Sequence, residues 1–230
     1  MIKAAVFDID GTLAPIGKPI SRVNVELLKK LERQGVFIVM SSGKPTYYQI
    51  GMFRQVGLKN PAFIGENGCS IAVGVGLPPE TIDVVRPDDS YFITRKKIFD
   101  DVTALCGKNV WLQPNDVMLT FFFKTDGTAA TIREYFKSNA YTDVNVYEHV
   151  DSFDIVPKSA DKYIGLDVLA KHFSLSPDEI VTVGDGVNDL PMFKYGKYSI
   201  SIDNKALNAT YDLKSITDAL KLIYDRRKEW

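Results

Sequence analysis

Ile2-Lys3-Ala4-Ala5-Val6-Phe7-Asp8-Ile9-Asp10-Gly11-Thr12-Leu13 is the stretch that decides the reading of the whole chain. Its first half is short and mostly apolar without alternation, the pattern of a strand covered on both faces, as in a parallel sheet. Its second half turns abruptly to carboxylates and glycine, so Asp8 and Asp10 stand directly beyond the strand. Two distant segments repeat the arrangement. Val36-Phe37-Ile38-Val39-Met40 runs into Ser41-Ser42-Gly43-Lys44, and Glu179-Ile180-Val181-Thr182-Val183 runs into Gly184-Asp185-Gly186-Val187-Asn188-Asp189. Ligands of open α/β sheets sit just outside the carboxyl ends of the strands, so three segments far apart in sequence can share one crevice.

The intervening sequence supports such a sheet. Ser21 caps a helical pattern whose Val25, Leu27, Leu28 and Leu31 form one stripe and which closes near Gly35. A second helix is expected over residues 45–56 and a brief strand over 62–64, ahead of Glu66-Asn67-Gly68. The rhythm then changes at a cluster of Gly74, Gly76, Pro78 and Pro79, read as a junction. Beyond it a strand is expected over 81–85, a helix over 91–105, strands over 110–113 and 118–124, a helix over 128–138 and a strand over 144–147. The first rhythm returns with a helix over 162–173, a strand over 198–202 and a helix over 216–228. The expected organisation is a core of residues 1–77 and 152–230, interrupted by a smaller α+β domain of residues 78–151.

Composition narrows the function classes. The 230 residues can bury one large core, or a core and a smaller companion. With 28 basic and 29 acidic residues the net charge is −1, which offers nothing to nucleic acid. The two cysteines, Cys69 and Cys106, have no spacing for a structural zinc site or a disulfide framework. No leader-like opening and no apolar run of about 20 residues is seen. The expectation is therefore a cytoplasmic protein with neither a membrane nor a nucleic-acid partner.

A single Asp-x-Asp is a weak signal, because acidic pairs in turns are usually solvated. Two carboxylate-bearing segments after two strands carry more weight. Carboxylates converging without cations would repel, and a hard divalent ion such as Mg²⁺ relieves that repulsion while also taking substrate phosphate oxygens.

Asp8-Ile9-Asp10-Gly11-Thr12-Leu13 resembles the first motif of the haloacid dehalogenase superfamily of phosphatases. Ser42-Gly43-Lys44 resembles the second, Pro157-Lys158-Ser159-Ala160-Asp161-Lys162 the third, and Gly184-Asp185-Gly186-Val187-Asn188-Asp189 the fourth. Asn67-Gly68 is similar to the Cof-type and sucrose-phosphatase-like branch. The size matches the phosphoglycolate phosphatases of that branch, with sugar phosphatases close behind. The resemblance spans the chain and implies a doubly wound parallel, Rossmann-like α/β sheet carrying an inserted α+β cap domain. It implies a Mg²⁺-dependent phosphatase for a small phosphorylated metabolite.

In such an enzyme Asp8 would be the nucleophile, and Asp10 the acid and then the base. Mg²⁺ would be held by Asp8, the Asp10 backbone carbonyl, Asp185 and Asp189, the last directly or through water. The Ser42 hydroxyl, backbone N–H groups around Gly43, the Lys162 ammonium and the Asn188 amide would hold the phosphate. Lys158 is a rival to Lys162 four residues earlier. Lys44 departs from the arginine common in the branch, and an ammonium cannot make a bidentate guanidinium contact. His149 and His172 show no ligand spacing. Two other readings remain: a phosphomannomutase-like enzyme sharing the Asp-x-Asp-Gly-Thr opening, and a phosphate-binding regulatory module without turnover.

Overall fold

A computed structural model describes residues 1–84 and 86–230. They divide into two compact units, Met1–Val84 with Lys162–Trp230, and Val85–Asp161. In the first unit β1 (Ala4–Phe7) pairs in parallel with β2 (Phe37–Ser41), Phe7 opposite Met40. Helix α1 (Arg22–Arg33) connects them. As expected, Ser21 is its N-cap, with its hydroxyl oxygen accepting the Asn24 N–H at 3.2 Å. Helix α2 (Thr46–Val56) leads to β3 (Ala62–Gly65), parallel to β2.

The chain then departs from the expected division. β3 reverses into β4 (Ser70–Val73), which pairs antiparallel with β5 (Glu80–Ile82) on the same sheet. The Gly74–Pro79 cluster is the turn of this hairpin rather than a domain junction. Glycine and proline mark a reversal of the chain, and they carry no information on whether the next strand leaves the sheet. Strand β4 was not anticipated. The end of the strand expected over 81–85 lies, at Val85, outside the described residues.

The inserted unit carries α3 (Asp89–Cys106), β6 (Val110–Leu112), β7 (Leu119–Phe123), α4 (Asp126–Ser138), β8 (Val144–Glu148) and β9 (Ser152–Pro157). Its strands form an antiparallel sheet in the order β6-β7-β9-β8. Tyr91, Ile98 and Val102 of α3 and Ala129 and Ile132 of α4 pack with Leu119, Phe121, Phe153 and Ile155 into a separate core. Residues 152–157 therefore belong here, not to the returning segment where they were expected. A central strand buried along its whole length reads like a strand of a parallel sheet. Of the aromatic run, Phe121 is buried in this core, while Trp111 is exposed and rests on Phe122.

The return segment supplies α5 (Lys162–His172), β10 (Ile180–Gly184), α6 (Leu190–Tyr195), β11 (Tyr198–Ile202), β12 (Tyr211–Leu213) and α7 (Ile216–Arg226). The main sheet runs β12-β11-β10-β1-β2-β3-β4-β5, all parallel except the terminal hairpin. Alternate residues of β1 serve opposite faces. Ala5 and Phe7 pack with Leu28 and Leu31 of α1, Phe53 of α2 and Leu220 of α7. Ala4 and Val6 pack with Leu166 and Leu169 of α5 and Met192 of α6. Helices thus cover both faces, as the doubly wound reading requires. No helix among the described residues is long and apolar enough to cross a membrane.

Candidate active site

β1 and β10 are neighbours, with Phe7 opposite Val183. Both end at the same edge, which brings Asp8 beside the loop that follows Gly184. Asp8 is buried, as is Asp189, and together with Asp185 they present carboxylate oxygens within 4.8 Å of one another. Lys162, expected to hold the phosphate, is the first residue of α5 and is inserted among these carboxylates. Its ammonium donates to Asp8 Oδ1 at 2.7 Å and to Asp189 Oδ1 at 2.6 Å. Lys158 makes no such contact among the described residues.

Burial first, and neighbouring charge after it, set the state of each group. Burial pushes the Asp8 carboxyl up from the ordinary 3.8 to about 7; Lys162 works against this, while Asp189 and Asp185 add to it. Burial opposes the charge of Lys162, but Asp189 and Asp8 outweigh it and hold the ammonium above its usual range. Asp185 is raised as well, by burial first, with Asp189 and Asp10 adding to it. The protein thus concentrates more negative charge here than one ammonium balances, an arrangement suited to a hard dication.

The carboxylates are not equivalent as ligands. Lys162 takes one oxygen of Asp8, and the Thr12 hydroxyl donates to Asp185 Oδ1 at 2.6 Å, so each keeps a second oxygen to present. Asp189 has both oxygens engaged. Its Oδ2 accepts the Asp185 and Gly186 N–H groups at 2.9 Å each, and its Oδ1 accepts Lys162.

Glycines make this closeness feasible. A Cβ on Gly11, whose φ is +86°, would lie 2.2 Å from Asp185 Oδ2, and one on Gly184 would lie 2.3 Å from Asp189 Oδ2. The Asp10 loop is closed by Gly11 N–H donating to Ala14 O at 2.8 Å and Ala14 N–H to Ile9 O at 3.1 Å. Asp10 itself forms an ion pair with Lys44.

Ser42 follows β2 and is buried. Its N–H donates to Ile64 O and its carbonyl accepts the Asn67 N–H, both at 3.0 Å, which stitches the loops after β2 and β3 together. Its Oγ accepts the Lys44 N–H at 3.2 Å, leaving the hydroxyl proton to be donated elsewhere. Asn188 reaches Asn67, Nδ2 to Oδ1 at 3.5 Å. Asn67 has φ 52°, a left-handed conformation that asparagine tolerates better than most side chains.

Asp8, Lys162, Asp185 and Asp189 are thus in one bonded cluster, and Asp10, Ser42, Gly43 and Asn188 lie on the loops around it. All belong to the first unit. Sequence reasoning missed Thr12 and Asn204, and assigned Lys44 no role. Asn204 donates from Nδ2 to the Asp185 carbonyl at 2.8 Å and is itself tied to Asp212, whose Oδ1 accepts its backbone N–H at 3.1 Å. Its position just past a strand adjoining β10 was the available signal.

A mostly parallel sheet wrapped by helices on both faces, with carboxylates gathered at its carboxyl edge, is a doubly wound, Rossmann-like α/β fold with its polar groups where such folds bind ligands. The chain belongs to the haloacid dehalogenase-like hydrolase family, whose profile matches residues 5–76 and 91–220, and it is a phosphatase. It is 27% identical over 226 residues to a phosphoglycolate phosphatase of Thermoplasma volcanium, covering 95% of this chain and 91% of that one. Its fold is similar to that of a haloacid dehalogenase-like hydrolase from Bacteroides thetaiotaomicron, with TM-score 0.76 at 19% identity, over 97% of this chain and 100% of that one. It also resembles a solved sugar phosphatase of subclass IIB, with TM-score 0.69 at 18% identity, over 97% and 98% of the two chains.

Proposed function

We propose that the protein is a Mg²⁺-dependent phosphomonoester hydrolase that works through an aspartyl-phosphate on Asp8. The observation that carries this reading is the buried Asp8 carboxylate, held by Lys162 against Asp189 and facing Asp185. Asp8, Asp185 and the backbone carbonyl of Asp10 would hold Mg²⁺. Asp189 would join them directly or through water, and its bonds to Lys162 and to the Asp185 and Gly186 N–H groups shape the metal loop. Bound there, the ion would offset the repulsion between the attacking carboxylate and the phosphate dianion.

In the first step an Asp8 oxygen forms a bond to phosphorus and the ester P–O bond breaks. The departing alkoxide takes a proton from the Asp10 carboxyl. In the second step a water oxygen attacks phosphorus, Asp10 takes back its proton, and the Asp8–phosphorus bond breaks to release inorganic phosphate. Lys162 keeps Asp8 oriented and carries positive charge beside the transferring group. The hydroxyl proton of Ser42, the backbone N–H groups near Gly43 and the amide of Asn188 supply hydrogen bonds to its oxygens.

For substrate we propose phosphoglycolate, with a sugar phosphate as second choice. Near full-length similarity to a phosphoglycolate phosphatase supports the first, and the fold of a sugar phosphatase the second. The deciding experiment is phosphate release from a panel of phosphorylated metabolites, with and without EDTA. Turnover should vanish on chelation and return with Mg²⁺, with phosphoglycolate giving the highest kcat/KM. Full activity in chelated protein overturns the metal assignment, and a better substrate elsewhere in the panel overturns the substrate. Phosphate moved within a sugar, rather than released, would identify a mutase.

A further inference from the structure

We propose that Lys44 is the positioning residue that orients the Asp10 carboxyl for proton transfer. This rests on the reading of Asp8 as nucleophile and Asp10 as acid and base. Lys44 holds Asp10 by one oxygen, Oδ2, and its ammonium also lies 5.8 Å from the centre of the Tyr48 ring. The side chain of Asp10 is 36% exposed and that of Lys44 18%. A pair this accessible is ordinarily worth little, because two flexible side chains must be frozen to make it.

Here both ends are anchored before the side chains meet. The Asp10 loop is closed by the Gly11–Ala14 and Ala14–Ile9 bonds. Lys44 donates its N–H to Ser42 Oγ at 3.2 Å, and its carbonyl accepts the Glu66 N–H at 3.1 Å and Gln49 Nε2 at 2.8 Å. Two fixed backbones thus limit where the Asp10 carboxyl can swing. The choice of cation matters as well. A guanidinium fork can engage both carboxylate oxygens, whereas an ammonium is a point donor. Lys44 therefore fixes Oδ2 and leaves Oδ1 to exchange a proton with the leaving group or with water.

The test uses two esters with wild type, Lys44→Met and Lys44→Arg, each also in an Asp10→Ala background. Glycerol 2-phosphate has an alkoxide leaving group that needs a proton, and p-nitrophenyl phosphate has one that scarcely does. Misplacing a general acid costs on the order of 10²-fold where the proton is needed. With Lys44→Met, kcat/KM should fall about 30- to 100-fold on glycerol 2-phosphate and about threefold or less on the aryl ester. Lys44→Arg, which keeps the charge but can engage both carboxylate oxygens, should recover only part of the loss, to roughly a tenth of wild-type activity on glycerol 2-phosphate. In the Asp10→Ala background Lys44→Met should add less than about a twofold loss, since the two act as one unit.

An equal fall on both esters with weaker inhibition by inorganic phosphate overturns the proposal, because Lys44 would then contact the phosphoryl group itself. An undiminished loss in the Asp10→Ala background, or no loss in either, overturns it too. A wild-type protein that hydrolyses neither ester, or an Asp8→Asn variant as active as wild type, sinks the underlying phosphatase chemistry and this proposal with it.

Discussion

Asp8 is a costly residue for the fold that carries it. Its carboxyl is pushed up to about 7 in the folded chain, against an ordinary 3.8. Below about pH 4 both states hold the proton and the residue costs nothing. As pH rises from 4 to 7 the unfolded chain releases its proton first, so the stability is progressively lost, and above 7 the loss is complete. Asp8→Asn has no proton to lose. In EDTA it should be more stable than wild type at pH 8, by about 1–3 kcal/mol, with the gap closing toward pH 5. The same variant should lose several orders of magnitude in turnover. Paired urea melts at the two pH values check the first claim, and a variant less stable than wild type at pH 8 contradicts the burial argument. Stability and activity thus oppose each other at one atom.

At the level of elements, the site depends on how closely strand ends approach the loops that follow them. Gly184 closes β10 with the Asp189 carboxylate in the space that a Cβ would occupy. A methyl group there would displace Asp189 and break its bonds to the Asp185 and Gly186 N–H groups. Gly184→Ala should reduce kcat/KM by about 10²-fold, since a misplacement near 1 Å suffices for that. Steady-state kinetics with a melt to confirm folding would show it, and an unimpaired variant would mean that the loop has slack. The sequence made this edge legible because buried strands that end in polar loops need no knowledge of partners. The inserted unit was legible in composition but not at its borders. Ser152–Pro157 is equally apolar whether it lies in the middle of a parallel or an antiparallel sheet, and only pairing to β7 and β8 tells them apart. Thr12 and Asn204 escaped notice for another reason. Their roles are hydrogen bonds to Asp185 from positions whose residue type suits any turn.

The molecule as a whole keeps every group of the site in one unit and a second hydrophobic core in the other. Residues 86–161 should therefore fold when expressed alone. Their circular-dichroism signal should melt cooperatively, with modest stability for so small a domain. A non-cooperative melt would show that this core needs the rest of the chain. Joining residues 84 and 162 through a short linker should leave p-nitrophenyl phosphate hydrolysis within about tenfold of wild type, as all the polar groups proposed to act on phosphorus remain. Metabolite turnover should fall much further if the insertion selects the leaving group. Equal losses on both substrates would remove that role.

The position of β10 beside β1 also sets a timetable. Lys162 meets Asp8 across 154 residues of chain and Thr12 meets Asp185 across 173. On the ribosome β1 can pair with β2 soon after both emerge, while its other edge waits for β10 for on the order of ten seconds at ordinary translation rates. During that interval Val6 and Phe7 line an unpaired edge, the kind of surface that chaperones shield. The insertion leaves the exit tunnel complete before β10 and can fold in the meantime. Asp8 is made well before Lys162 and Asp189, and it gains its lysine and its acidic neighbours only after the second half of the sheet has arrived. A nascent fragment ending before β10 lacks Asp185 and Asp189 and should release no phosphate from p-nitrophenyl phosphate.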